Sequence, residues 1–510
     1  MSKPRPNILF LMTDQHRWDA LGCVNPLVQT PNLDRLAARG IRFSQATCNA
    51  PMCVPSRYSM TLGLYPSQCG VRHNMQMIPE DSLLPSPLLP QRLADLGYQT
   101  AGFGKTHWYL GSNFPTNAAR IIPTRRGFEI RGEAGERDAQ TTAPDTVLMA
   151  ENDPASWNLY RDDMRRSRCG PESVTGFIGH TSDLDGTRHR EGWLTRQALD
   201  FLRIKRDPSR PFFLYLSLDF PHAGFNVPPG YEDRYRLEDI PLPDQPPWID
   251  DPASHVETDS RRAEWSALPE EVRRRSILRY YALCTYVDDC FGQVLRLLEE
   301  QGEIDNTLVL FTSDHGEMLG ERNNRFTKYC LYESSIRVPL ILAGAGISPQ
   351  LAGNIDARPA ELVDVLPTLV SAAGGTAPVE LPGRSLLGPS SRLGSFAEMH
   401  GNGYETIGGK PGPDWREKKG RQAAPSLMWR TADWKLILHL PGDAADAPLQ
   451  LHQAIGELYD LSHDPREWKN LYDDATLLPV REKLTRELLL HLASTWARYP
   501  HQAARPTLRA

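Results

Sequence analysis

The chain has no cysteine pair at CxxC spacing, no long block of charge of one sign, and no extended apolar run. Each absence removes a class of protein. An apolar stretch of roughly 20 residues is needed to span a bilayer, so no membrane partner is expected. A net charge of −6 without a basic stripe argues against nucleic acid, because phosphate binding leaves such a stripe. The opening "MSKPRPNILFLMTDQH" has a basic start, but its apolar part, Ile8 to Met12, is shorter than a signal-peptide core of roughly 7–15 residues. A cytoplasmic location is therefore expected. The 8 cysteines (23, 48, 53, 69, 169, 284, 290, 330) are scattered, and in a reducing compartment all but Cys53 read as small buried hydrophobes.

What is present reads as a large globular protein. At 510 residues the chain exceeds one simple core, so a large domain with a smaller companion is expected. Strands and helices alternate through the first three-quarters. "NILFLM" precedes a helix expected to be capped by Thr30 with Pro31 at its first position; "YQTAGFG", "FFLYLSLDF", "TLVLFTSD" and "VPLILAG" read as further strands. A long helix spans about Pro269 to Gln301. This alternation predicts an α/β fold, a mostly parallel mixed sheet with helices on both faces. Beyond about residue 375 a Gly/Pro/Ser-rich connector leads into strand-like segments and an amphipathic helix near 476–497. Residues 1–380 are thus expected to form the catalytic α/β domain. Residues 381–510 are expected to form a smaller α+β domain with an antiparallel sheet. Two polar insertions, about 110–188 and 223–268, are long enough to serve as lids or substrate walls. Trp108, Tyr109, Trp157, Tyr160 and Trp193 are candidates for a pocket lining or for packing.

In open α/β sheets, sites lie beyond the carboxyl ends of the strands. Here "NILFLMTDQ" ends at Asp14 and Gln15, "FFLYLSLDFPH" reaches His222, and "LVLFTSDHG" ends at Asp314 and His315. Two carboxylates and an imidazole facing one point suit a divalent metal. The alternative is that each aspartate caps the loop or helix that follows.

The segment "CVPSR", Cys53 to Arg57, resembles the C-x-P-S-R signature of the formylglycine-dependent sulfatases of the alkaline phosphatase superfamily. The resemblance runs in order through "NILFLMTDQ", "TPNLDRLAARG", "CVPSR", "GFGKTHW", "FPH", "TSDHGEMLGER", "KYCLYESSIRVPLI" and "LYDLSHDPREWKNL". It implies an alkaline phosphatase-like fold and a sulfuric ester hydrolase. It also implies that a formylglycine-generating enzyme oxidises Cys53 to formylglycine (3-oxoalanine). The hydrated aldehyde, activated by a divalent metal, then attacks the sulfur of a small-molecule sulfate ester, and a covalent sulfo-enzyme releases sulfate.

Carried over residue by residue, the resemblance makes Asp14, Gln15, Asp314, His315 and position 53 the metal site. Calcium is the first candidate there, with Mn²⁺ and Mg²⁺ open because imidazole is a poor calcium ligand. Arg57 would hold the diol and the metal oxygens. Lys105 and Lys328 would neutralise sulfuryl oxygens, His107 would assist the diol, and His222 would serve the leaving oxygen. Asn74 is a further substrate-contact candidate, with His73 a weaker one, while Glu317 and Glu321 are expected to fix loops. Leu64 stands where many sulfatases have arginine. The related phosphonate monoester hydrolases share that leucine and the DQ and DH pairs, but generally lack the lysine and histidine of "GKTHW". That reaction, or a phosphodiesterase on the same site, is the alternative. A third reading is a non-catalytic anion-binding homologue in which Cys53 stays a thiol. The resemblance also allows a homo-oligomer, with "ARYPHQAARPTLRA" as an exchanged arm.

Overall fold

Strand β1 (Asn7–Thr13) is apolar along its length because both its faces are covered. Ile8, Phe10 and Met12 enter one core, and Leu9 and Leu11 enter the other. Such two-sided burial is the mark of a central strand between helical layers. The computed structural model describes residues 5–74, 76, 78, 81–108, 126–135, 146–169, 177–247, 265–324, 326–389, 392–400, 406–407, 410–411, 426–440 and 455–498. Tyr109, large parts of both insertions and of the Gly/Lys-rich loop near 401–420, and most of the C-terminal tail lie outside the described residues.

The other strands of the main sheet are β2 (Gly40–Phe43), β3 (Gln99–Gly104), β4 (Ile130–Glu133), β5 (Val147–Leu148), β6 (Phe212–Ser217), β7 (Thr307–Ser313), β8 (Leu340–Gly344) and β9 (Asn354–Asp356). Their order is β9-β2-β8-β7-β1-β6-β3-β4-β5. Only β8 runs against its neighbours; every other pairing is parallel. One core packs β1 against helices α2 (Cys53–Leu62) and α5 (Val365–Ala372). The opposite core packs it against α1 (Pro31–Ala38), α3 (Arg190–Asp200) and α4 (Glu270–Glu300).

The cap of α1 differs from the sequence expectation. Thr30 directs its hydroxyl elsewhere, accepting from Gly22 N at 2.8 Å and meeting Asp34 at 3.1 Å. The first-turn N–H groups of Asn32 and Leu33, which have no partner within the helix, are taken instead by Asp288 of α4, at 3.1 and 2.7 Å. A carboxylate distant in sequence thus does the work expected of a local hydroxyl.

The antiparallel sheet expected near the C-terminus is present as β10 (Ser395–Met399), β11 (Ser426–Arg430), β12 (Trp434–His439) and β13 (Ile455–Asp460), in that order. Helix α6 (Leu478–Arg498) covers one face through Leu484 and Leu488. The other face, through Ala397, Met428, Ile437 and Tyr459, is continuous with the core that holds α2.

Candidate active site

Strand register brings the candidate residues together. Thr13 lies beside Ser313, so Asp14 and Asp314 leave adjacent strands at one level. On the other side Met12 pairs with Ser217, and Ser217 with Gly104, which places Lys105 and the segment after β6 at the same edge.

Helix α2 delivers the cysteine. Its N-cap position is Met52, whose side chain makes no capping bond, and the Val54 N–H is accepted by Asn74 Oδ1 at 3.1 Å. Pro55 falls in the first turn, where a missing N–H costs no intrahelical bond. Cys53, Ser56 and Arg57 are spaced i, i+3, i+4 and therefore share a face. Ser56 Oγ donates to the Asp314 carbonyl at 2.5 Å. Arg57 Nε reaches Asp314 at 2.7 Å and its Nη2 reaches Asp14 at 3.1 Å. Its remaining nitrogen donates to the Lys105 carbonyl at 2.6 Å and to Ser217 Oγ at 3.0 Å. One turn of helix is thereby fixed to four strand tips.

Asp14, Cys53, Asp314 and His315 each present one ligand atom, all within 4.8 Å of one another, and all four residues are buried. His315 Nδ1 lies 2.9 Å from the Gly316 carbonyl, which can only accept, so Nε2 is left as a lone-pair donor 3.3 Å from Cys53 Sγ. Oxygen, imidazole and position 53 form a donor set that fits a divalent cation. Gln15 adjoins this group with its backbone at φ 64°. Its Oε1 accepts from Lys328 Nζ at 2.9 Å, and its Nε2 donates to Glu317. Glu317 also accepts from Leu319 N at 2.9 Å and from Thr327 N at 2.5 Å, the loop-fixing role expected of it.

Cations ring the cluster. Lys105 Nζ stands 2.7 Å from Asp14 and 2.7 Å from Asp219. Lys328 Nζ lies 3.2 Å from Cys53 Sγ and 3.1 Å from His222 Nε2. Since His222 Nδ1 faces the Ala223 carbonyl at 3.2 Å, its Nε2 accepts from the lysine. Burial opposes the charge of Asp14, yet Lys105, His222, Lys328 and Arg57 hold its carboxyl well below the usual range. Burial and the Asp14 charge push Asp314 up to about 6. Burial and Asp14 also oppose a thiolate at Cys53, but Lys328, Lys105 and the His222 hydrogen bond bring that thiol down to about 7. Burial keeps His315 neutral, down to about 4. His107, in a left-handed backbone conformation at φ 54°, is held neutral by burial and by the Lys105 and Arg57 charges.

Ser217, Asp219, Arg190 and Tyr215, whose hydroxyl accepts from Arg57 Nη1 at 3.3 Å, were not among the sequence candidates. Asp219 had a signal, because it follows Ser217 at the end of β6 as Asp14 follows β1. Arg190, at the start of α3, had none. Trp108 stacks on Phe128 at 5.8 Å and Trp193 is buried in the core, so both pack rather than line a pocket. Leu64 is also buried in the core.

A family model described as Sulfatase matches residues 6–375. An arylsulfatase of Clostridium perfringens is 29% identical over 391 residues, covering 75% of this chain and 78% of its own. An uncharacterized sulfatase of Escherichia coli is 30% identical over 495 residues, with 95% and 86% covered. A multifunctional alkaline phosphatase superfamily protein of Trinickia caryophylli is 31% identical over 412 residues, with 75% and 76% covered. Among solved structures, a phosphonate monoester hydrolase from Silicibacter pomeroyi superimposes with TM-score 0.73 at 23% identity, covering 96% of each chain.

Proposed function

We propose, from the premise that this chain belongs to the sulfatase family of sulfuric ester hydrolases, that it cleaves a small-molecule sulfate ester at the cluster around position 53. The observation that carries this reading is the placement of Cys53 Sγ. It lies 3.3 Å from His315 Nε2 and 3.2 Å from Lys328 Nζ, inside the four-residue group that fits a metal. Asp14, Asp314, His315 and position 53, with Gln15 beside them, would hold one divalent cation. Converted to formylglycine and hydrated, position 53 supplies the nucleophilic oxygen, and the cation supplies Lewis acidity.

The chain's own residues do the rest. Arg57 pairs with both carboxylates and orients them at the site. Lys105 and Lys328 meet the sulfuryl oxygens, where charge develops as the ester bond breaks. His222 Nε2, which accepts from Lys328 Nζ at 3.1 Å, would have to take up a proton before it could pass one to the leaving oxygen. His107 assists at position 53. Asp14, Asp314 and Asp219 balance Arg57, Lys105 and Lys328. With a divalent ion held there the site would be positive, the sign that a sulfate ester requires. Asn74 has its Oδ1 on the helix, so its amide nitrogen is the part offered to substrate. The same reading divides the chain at 380–381 and requires a formylglycine-generating enzyme during maturation.

A phosphonate or phosphodiester hydrolase is the second reading, favoured by His315 in the metal cluster and Gln15 beside it. Steady-state hydrolysis of p-nitrophenyl sulfate and of an aryl phosphonate, compared on one metal-loaded preparation, separates them. A higher kcat/KM for the sulfate is expected; a decisive preference for the phosphonate reverses the assignment. The C53A variant should lose turnover of both.

A further inference from the structure

Beyond the metal cluster runs a ladder of alternating charge. Asp14 Oδ2 meets Lys105 Nζ at 2.7 Å, and Lys105 Nζ meets Asp219 Oδ1 at 2.7 Å. Asp219 Oδ2 meets Arg190 Nη1 at 2.8 Å, and Arg190 continues to Glu191. The other oxygen of Glu191 takes the Nδ1 proton of His189 at 2.7 Å. Arg190 is held in place by the rings of Tyr160 and Phe220, at 5.1 and 5.7 Å. Asp219 also acts through its main chain: its carbonyl accepts the His222 N–H at 3.0 Å, closing the turn that carries that histidine.

Asp14 cannot fix Lys105 alone. Its carboxylate is also a candidate metal ligand and the partner of Arg57. A cation held by its oxygens would weaken its hold on the lysine, leaving Asp219 as the other anion on the ammonium. Asp14 is faced through its two oxygens by Lys105, at 2.7 Å, and by His222 Nε2, at 3.9 Å. Asp219 controls both of these groups, one by charge and one by the backbone turn.

We propose that Asp219, held by Arg190, is the positioning residue of the hydrolytic reaction, aligning Lys105 and His222 on the ester group under attack. It touches neither the nucleophile nor the cation and acts through the two groups that meet the ester. The inference rests on the function proposed above.

Its test uses the converted, metal-loaded enzyme on whichever aryl ester the wild type hydrolyses, sulfate or phosphonate. Failure of the function reading therefore shows in the wild type, and failure of this inference shows only in the variants. Asp219→Asn preserves shape but removes the charge opposite Lys105. The expected result is a fall in kcat of about 100-fold with KM changed by less than about threefold, because misplacement by an ångström costs on that order. Asp219→Glu should restore part of kcat, and melting temperatures should stay within a few degrees. Arg190→Gln leaves the charge but frees it to swing, so kcat should fall by less than in Asp219→Asn. The proposal is overturned if Asp219→Asn keeps kcat within twofold of wild type. It is equally overturned if Asp219→Glu restores nothing, or if Arg190→Gln loses as much as Asp219→Asn.

Discussion

Arg57 is fully buried and contacts Asp14, Asp314, Ser217 and the Lys105 carbonyl through a single guanidinium. Lysine could not replace it, since an ammonium has no planar fork to span two carboxylates. Arg57→Gln should destabilise the protein by about 3–5 kcal/mol, the usual cost of stranding buried charges, and a urea titration would measure it. A loss below about 1 kcal/mol would mean that Lys105 alone compensates both aspartates. Asp14, Asp314 and His315 were legible in the sequence because each follows an apolar strand, and in this fold strand ends mark the site. The other partners of Arg57, Ser217 and the Lys105 carbonyl, were not. They depend on β6 lying between β1 and β3, a neighbour relation that hydrophobic pattern does not encode.

Among elements, α2 and the end of β3 set the reacting groups. Gly104 closes β3 at φ 91°, and a Cβ there would lie 1.9 Å from the Ser217 carbonyl. Gly104→Ala should therefore cost at least about 1 kcal/mol in stability. It should also lower kcat by displacing Lys105, whose own N–H donates to that carbonyl at 3.0 Å. Thermal melting together with steady-state kinetics checks both effects; an unchanged kcat would show that the lysine tolerates a shifted strand end. The sequence shows the signature that opens α2. It did not reveal why the helix starts there without a side-chain cap, because Asn74 is supplied from a loop 20 residues away. Thr30 teaches the same lesson, since a good local cap was displaced by Asp288 across the core.

At the scale of the molecule, the small sheet is joined to the large one by buried charge. Lys435 Nζ meets Glu333 at 2.7 Å, Glu467 at 2.6 Å and the Leu331 carbonyl at 3.1 Å. Arg430 pairs with Glu333 at 2.8 Å. Glu333 and Leu331 belong to the segment that carries Lys328, so the C-terminal sheet supports the active site from behind. Lys435→Met should lower both stability, by about 3–5 kcal/mol, and kcat, and the two units should still unfold in one transition. A second, separate transition in calorimetry would contradict this coupling. Composition separated the two units but gave no sign of their shared core, because the inward residues of β10 to β13 look the same whichever partner covers them. Acid should loosen the same region. Burial opposes the charge of Glu457, but His439, Arg322 and Tyr459 hold its carboxyl down at about 2. In the unfolded chain a glutamate binds its proton near pH ~4.3, so this stabilising contribution is full above that pH and is lost on descent toward about 2. Glu457→Gln should be less stable at neutral pH and should lose less stability across that acid window.

The chemical identity of side chain 53 decides whether the proposed reaction can occur. Cleavage after Arg42 and Arg57 of protein made in its native cell releases peptide 43–57 for mass measurement. The predicted mass is that of the encoded peptide less H2S plus one oxygen, the signature of an aldehyde at position 53. An unaltered thiol at that position, in protein that still hydrolyses an aryl sulfate, would contradict the account.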